Sequence, residues 1–242
     1  MAPPQSVVES IREAGAAYEA SRYGEAVECY RQALALGWCS AALYYNLGCA
    51  SYKAGRIGWA VAYFEEARRL SPRDPNIRHN LRTVTSKGRD RLPEKESSRL
   101  LGLLSGLLDS YSPSDVVRII VALFWLGALV LAVHWTGREA LRRWSRWGLA
   151  LVALLVGLST IGLMLKAYQI ASAPSGVIVV EEAQVRSGPR EGETVQFVLH
   201  AGTLLHMGRP AGEWREVWIS DQMRGWVTEE AVVALIKPRW LP

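Results

Sequence analysis

Two uninterrupted apolar runs, Ile119 to Trp135 and Trp147 to Leu165, occupy the middle of the chain, and the pattern predicts an arginine-loaded loop, Thr136 to Arg146, between them. A helix needs about 20 apolar residues to cross about 30 Å of hydrocarbon, and each run approaches that length with no acidic side chain and no proline inside it. The pattern predicts two spanning helices, near 116–135 and 147–166. Two spans return the chain to its starting side, so the polar segments before and after them face one compartment. Upstream, apolar positions recur at helical spacing and predict helices near 5–20, 24–36, 41–54 and 58–70, then a capping helix near 75–90. Downstream, the pattern changes to short β-rich runs at Val177–Val180, Thr194–Leu199, Thr203–Met207, Trp214–Ile219 and Gly225–Val227.

The helical region repeats itself. An offset of 34 residues aligns Ser21 with Gly55, Tyr23 with Ile57, Ala26 with Ala60, Tyr30 with Phe64 and Ala33 with Ala67. The same offset pairs Asn46 with Asn80 and Leu47 with Leu81, so a partial third unit begins near Pro75. This is the period of antiparallel helix pairs in which small residues permit close crossing and large ones fill the gap. The second unit resembles the tetratricopeptide repeat, with Tyr44, Leu47-Gly48, Gly55, Ala60, Phe64, Ala67 and Pro72 in that family's order. The first unit is degenerate, with Ala14 in a glycine position. The resemblance implies a hollow face lined by the first helix of each pair, presenting Tyr18, Tyr45, Cys49, Tyr52 and Lys53 to a partner; half-buried packing of the tyrosines is the alternative. A clamp for a C-terminal carboxylate is rejected, because of its residue set only Asn46 is present.

The C-terminal region resembles bacterial SH3 domains. Its landmarks are Val185-Arg186-Ser187-Gly188-Pro189, His200-Ala201-Gly202-Thr203, Trp214 with Val217, and Gly225-Trp226-Val227. The resemblance implies a small β barrel and, in the envelope, a cell-wall or peptide ligand. Trp214 and Trp226 are then either exposed ligand contacts or barrel filling.

Between these regions, residues 93–98 are polar and charged, and leucines at 100, 103, 104, 107 and 108 with Tyr111 share one helical face, as in a helix lying in the headgroup layer or packed on the repeat. Trp135, Trp144, Trp147 and Tyr168 fall near the span ends, where amphipathic rings anchor in the interface. Ala128 with Ala132, and Ala153 with Gly157, give each span a small pair that permits close approach. The stretch between the spans carries Arg138, Arg142, Arg143 and Arg146 against the single acid Glu139, while the outer flanks offer Arg99, Arg118 and Lys166. The positive-inside tendency places 136–146 in the cytoplasm and both polar regions outside it. Residues 1–6 show no basic segment followed by an apolar core, the pattern of a secretory signal.

Composition narrows the function classes. The 242 residues are 50% hydrophobic with a mean hydropathy of +0.05, an average over polar ends and an apolar centre. Neither end is long enough for a large enzyme. Much of the net charge of +5 lies beside the membrane, so it is not read as a nucleic-acid signature. Cys29, Cys39 and Cys49 match no metal spacing and read as small buried apolar residues rather than a redox pair. His79, His134, His200 and His206 are scattered. No nucleophile, base and orienting acid stand at interpretable spacing, so catalytic, cofactor and metal residues are all expected to be absent.

The fold class is therefore multidomain: an all-α repeat domain over 1–92, a linker and amphipathic helix over 93–114, a two-helix transmembrane hairpin over 115–168, and a small all-β SH3-like barrel over 174–242. The order of these parts resembles the BatE-like proteins of bacterial aerotolerance operons. That resemblance implies a scaffold in the bacterial cytoplasmic membrane, with partners bearing von Willebrand A domains and a MoxR-type ATPase, and a role in envelope integrity or oxidative-stress tolerance. A cell-wall-binding or sensing protein is the alternative.

Overall fold

The computed structural model describes residues 3–86, 88–90, 113–136, 139–172, 175–220 and 222–235. The linker and the leucine cluster, and with them the expected interfacial helix, lie outside the described residues. The chain divides into two compact units, one built from residues 1–95 with 174–242 and the other from 96–173. The repeat and the barrel, set out above as separate domains, thus pack as one body.

Five helices open the first unit: α1 (Gln5–Glu19), α2 (Tyr23–Ala35), α3 (Ala41–Lys53), α4 (Ile57–Leu70) and α5 (Pro75–Thr85). Local chemistry sets their ends. The Ser40 hydroxyl accepts from the Leu43 amide at 3.2 Å to cap α3, and Asp74 caps α5 ahead of Pro75 at its first position. The turns within the two pairs use the same device, a left-handed residue, at Ser21 (φ 58°) and Gly55 (φ 76°). The alanines aligned at the repeat offset, Ala26 with Ala60 and Ala33 with Ala67, are fully buried. Gly48 permits the tightest crossing, since a Cβ there would lie 2.7 Å from the Phe64 ring.

Seven strands complete the unit: β1 (Gly176–Ile178), β2 (Glu182–Arg186), β3 (Val195–His200), β4 (Leu204–Ala211), β5 (Trp214–Trp218), β6 (Arg224–Thr228) and β7 (Val232–Ala234), with a 3-10 turn at Glu229–Ala231. All pairings are antiparallel, in the order β3-β2-β6-β5-β4-β1-β7. One apolar cluster takes a residue from every strand, including Ile178, Val185, Leu199, Leu205, Val217, Val227 and Val232, so the sheet curls around a single core. Strands β2 and β7 were not expected.

The second unit holds α6 (Pro113–Thr136) and α7 (Glu139–Ser172). Within them Val117–Thr136 and Arg142–Leu165 have mean hydropathies of 2.2 and 2.3, long and apolar enough to cross a membrane. The helices lie antiparallel: Gly127 faces Val152, Gly148 faces Val130, and His134 Nδ1 lies 2.7 Å from the Ser145 hydroxyl. The stretch expected as a loop, 136–146, is helical from Glu139 onward, because Ala, Leu and Arg there favour helix and no breaker follows Gly137.

Candidate functional site

The residues expected on the hollow face of the repeat are largely engaged within it. Tyr18 packs edge-to-face on Tyr23 with ring centroids 5.3 Å apart, and Tyr45 leans on Phe64 at 5.9 Å. The Asn80 amide donates to the Tyr45 hydroxyl at 3.0 Å and to the Cys49 sulfur at 3.6 Å, so the partial third unit closes over the second. Burial raises the Cys49 thiol above its ordinary pKa, against the lowering effect of bonds to Tyr45 and Asn80, and it raises the phenols of Tyr18 and Tyr45 as well. Of the five residues picked out from the sequence, Lys53 is exposed and the other four are half-buried. Tyr45, Cys49 and Tyr52 also pack on a cluster that includes Val84 of α5 and Val177 and Leu235 of the barrel, so part of the hollow face is covered by the chain itself. The cysteines are not uniformly buried as expected: Cys39 is exposed, Cys29 and Cys49 are half-buried, and all three are free thiols.

The barrel joins the repeat through α4. A Cβ on Gly58 would lie 2.3 Å from the Ile178 carbonyl oxygen and 2.6 Å from Val179 Cα, so only glycine fits where helix and strand end meet. Gly202, in the left-handed region at φ 91°, sits where the β3–β4 turn meets α4, and a Cβ there would lie 3.2 Å from a Val61 methyl. Asp90 makes a second junction: one carboxylate oxygen accepts from the His200 amide at 2.7 Å and the Thr203 hydroxyl at 2.5 Å, and the other lies 2.6 Å from His200 Nδ1. Burial alone would raise this carboxyl, yet the bonds from Thr203 and His200 outweigh it and hold Asp90 below the ordinary aspartate range. Between the repeat and the barrel lies a cleft of about 400 Å3 with Arg56 and Trp59 on one wall and Glu181 on the other.

The SH3-like landmark residues divide into two kinds. Gly225 is structural, since a Cβ there would meet the Arg186 carbonyl oxygen at 2.6 Å. The Arg186 guanidinium holds the loop after β2 by donating to the Glu191 and Glu193 carbonyls, and Gly188 sits against Glu193 while Pro189 is exposed. Trp214 and Trp226 do not fill the barrel. Val217 and Val227 do, and the period of two along a strand turns both tryptophans to the opposite, outward face, where they are half-buried. Trp218, not picked out from the sequence, shares that face; its alternation with Val217 was the available signal.

Among the described residues, no group of three or more His, Cys, Asp or Glu side chains is placed to hold a metal ion. No curated protein matches the chain. The family model for the tetratricopeptide repeat matches residues 41–74, which are α3, α4 and their exit turn, and the model for the bacterial SH3 domain matches residues 179–233. The chain therefore carries a tetratricopeptide repeat and a bacterial SH3 domain, two modules whose usual work is binding, together with two helices long and apolar enough to span a membrane.

Proposed function

We propose that this protein is a membrane-anchored scaffold that gathers other proteins in the bacterial envelope, in a BatE-like assembly with von Willebrand A-domain and MoxR-type partners linked to envelope integrity or oxidative-stress tolerance. The observation that carries the reading is the close-packed junction of two binding modules at Gly58 and Asp90, which sets their mutual geometry in a chain that also carries a pair of apolar helices. A scaffold gains from such a junction, because partners bound to preorganised surfaces lose less freedom on assembly. On this reading the hairpin lies in the cytoplasmic membrane with residues 136–146 inside, and the partner-binding residues are Tyr18, Tyr45, Cys49, Tyr52 and Lys53.

Crosslinking from native membranes tests it. Full-length protein is expected to capture A-domain membrane proteins, and the double change Tyr52→Ala with Lys53→Glu to weaken capture while helix content stays intact. Capture by wild type of no membrane protein would sink the scaffold. Topology is tested in chains whose native cysteines are replaced: a cysteine at Glu139, between the two spans, should be shielded from an impermeant thiol reagent in intact cells, and one at Ser187 labelled. The second reading, a cell-wall-binding protein, draws on the outward position of Trp214, Trp218 and Trp226. Sedimentation of the protein with purified sacculi, lost on Trp226→Ala, would favour it.

A further inference from the structure

The barrel has an outer face of unusual composition. Residues that alternate with the core positions of β2, β6 and β5 place Arg186, Trp226, Arg224, Trp214, Glu216 and Trp218 on one surface. Each indole carries a guanidinium: Arg186 lies over Trp214 at 5.9 Å, Arg209 over Trp226 at 5.9 Å, and Arg224 over Trp218 at 5.1 Å. His206 stacks on Trp218 at 5.6 Å with an interplanar angle of 14°. Gly208 keeps the surface open, since a Cβ there would lie 2.9 Å from the Trp218 ring. Glu216 is largely covered and sits 3.6 Å from Arg209, whose side chain is 78% exposed.

We propose that this face is the docking surface for an acidic segment of a partner protein, a site that rests on the scaffold reading and names its chemistry. A guanidinium stacked on an indole is held as a flat fork, so carboxylates meet a preorganised bidentate donor. Tryptophan and arginine together are also the residues that dominate protein interfaces when a partner covers them. Arg224 and the largely exposed Arg209 lie over indoles here beside a largely covered Glu216, which leaves positive charge turned to solvent and makes this part of the face complementary to negative charge.

The test uses the full-length protein in neutral phosphatidylcholine nanodiscs, with fluorescently labelled octaglutamate as probe and octaglutamine and octagalacturonate for comparison. Octaglutamate is expected to bind tightest and to lose affinity with salt. The double variant R209Q/R224Q, which removes the guanidiniums over Trp226 and Trp218, should bind it about tenfold more weakly. R142Q/R143Q/R146Q should bind it unchanged, which excludes the basic end of the hairpin. Octaglutamate binding no tighter than octaglutamine, or full retention in R209Q/R224Q, overturns the proposal, and tighter binding of octagalacturonate overturns it in favour of a glycan. If R209Q/R224Q captures membrane partners as well as wild type does, this site falls while the scaffold stands. If wild type captures none while octaglutamate still binds through Arg209 and Arg224, the face stands and the scaffold falls.

Discussion

Gly24 and Gly58 occupy the same place in successive helix pairs, 34 residues apart, and their surroundings differ completely. A Cβ on Gly24 would meet nothing within 4 Å, whereas one on Gly58 would run into the backbone of Ile178 and Val179. The buried alanines, the left-handed turn residue and the large aromatic recur in both pairs, so the units share one internal construction. What separates them is a neighbour. The second unit stacks its outer helix on the barrel, and a position that is merely permissive in the first becomes obligatory there.

The sharpest test of that contrast is a matched pair. Gly58→Ala is expected to cost about 3 kcal/mol, because the added methyl meets backbone that cannot swing aside, while Gly24→Ala should gain up to about 1 kcal/mol from helix propensity alone. Thermal or denaturant melts of the full chain measure both. Equal effects would mean that the α4–barrel junction does not form.

Ala26 and Ala60 should instead behave alike. Both are fully buried where paired helices cross, so Ala26→Leu and Ala60→Leu are each expected to cost about 2 kcal/mol by overpacking. A neutral result at either, in the same melts, would show that the register of that pair is wrong.

Asp90 probes the second junction through pH. Its pKa is lowered on folding, so its contribution is complete above the unfolded value, ordinarily 3.8, and is lost as pH falls through the lower folded value. Asp90→Asn is expected to cost about 1.5 kcal/mol at neutral pH, in the range for hydrogen bonds to a charged group. The difference between variant and wild type should shrink in acid, below about pH 4. A gap that stays constant down to pH 2 would mean that the carboxylate charge does no work there.

The smallest effect returns to the paired turns. Ser21 holds the left-handed conformation that Gly55 adopts freely, so Ser21→Gly should raise stability by about 0.5 kcal/mol, where Gly55→Ser should lower it by a similar amount. Opposite signs in paired melts are the expected outcome.

Much of this was legible along the chain because the signals are local. Helical spacing located α1 to α4 to within a residue and the start of α5, which ends at Thr85 rather than near 90, and Ser40, Asp74 and Pro75 mark their own helix starts by side chains that act within a single turn. Strands β2 and β7 escaped because each shows only a brief apolar pattern, Ala183 with Val185 in one and Val232-Val233 in the other. Their pairing with β3 and β1 makes them strands. Arg142, Arg143 and Arg146 read as loop by charge, although arginine is a good helix former.

By itself, then, the sequence determined the parts: helix pairs from a 34-residue period, two apolar helices from uninterrupted hydrophobic runs, and a small β domain from short strands between turn residues. Only the tertiary structure decided how the first and last parts meet and which way the tryptophans point. Gly58 touches Ile178 and Asp90 binds His200 across more than a hundred residues of chain, and no periodicity or cap encodes a contact at that separation. The direction of Trp214 and Trp226 follows from which neighbours win the core. Val217 and Val227 fit inside the curled sheet, and strand alternation then sends the larger indoles outward, each beneath an arginine from elsewhere in the sheet.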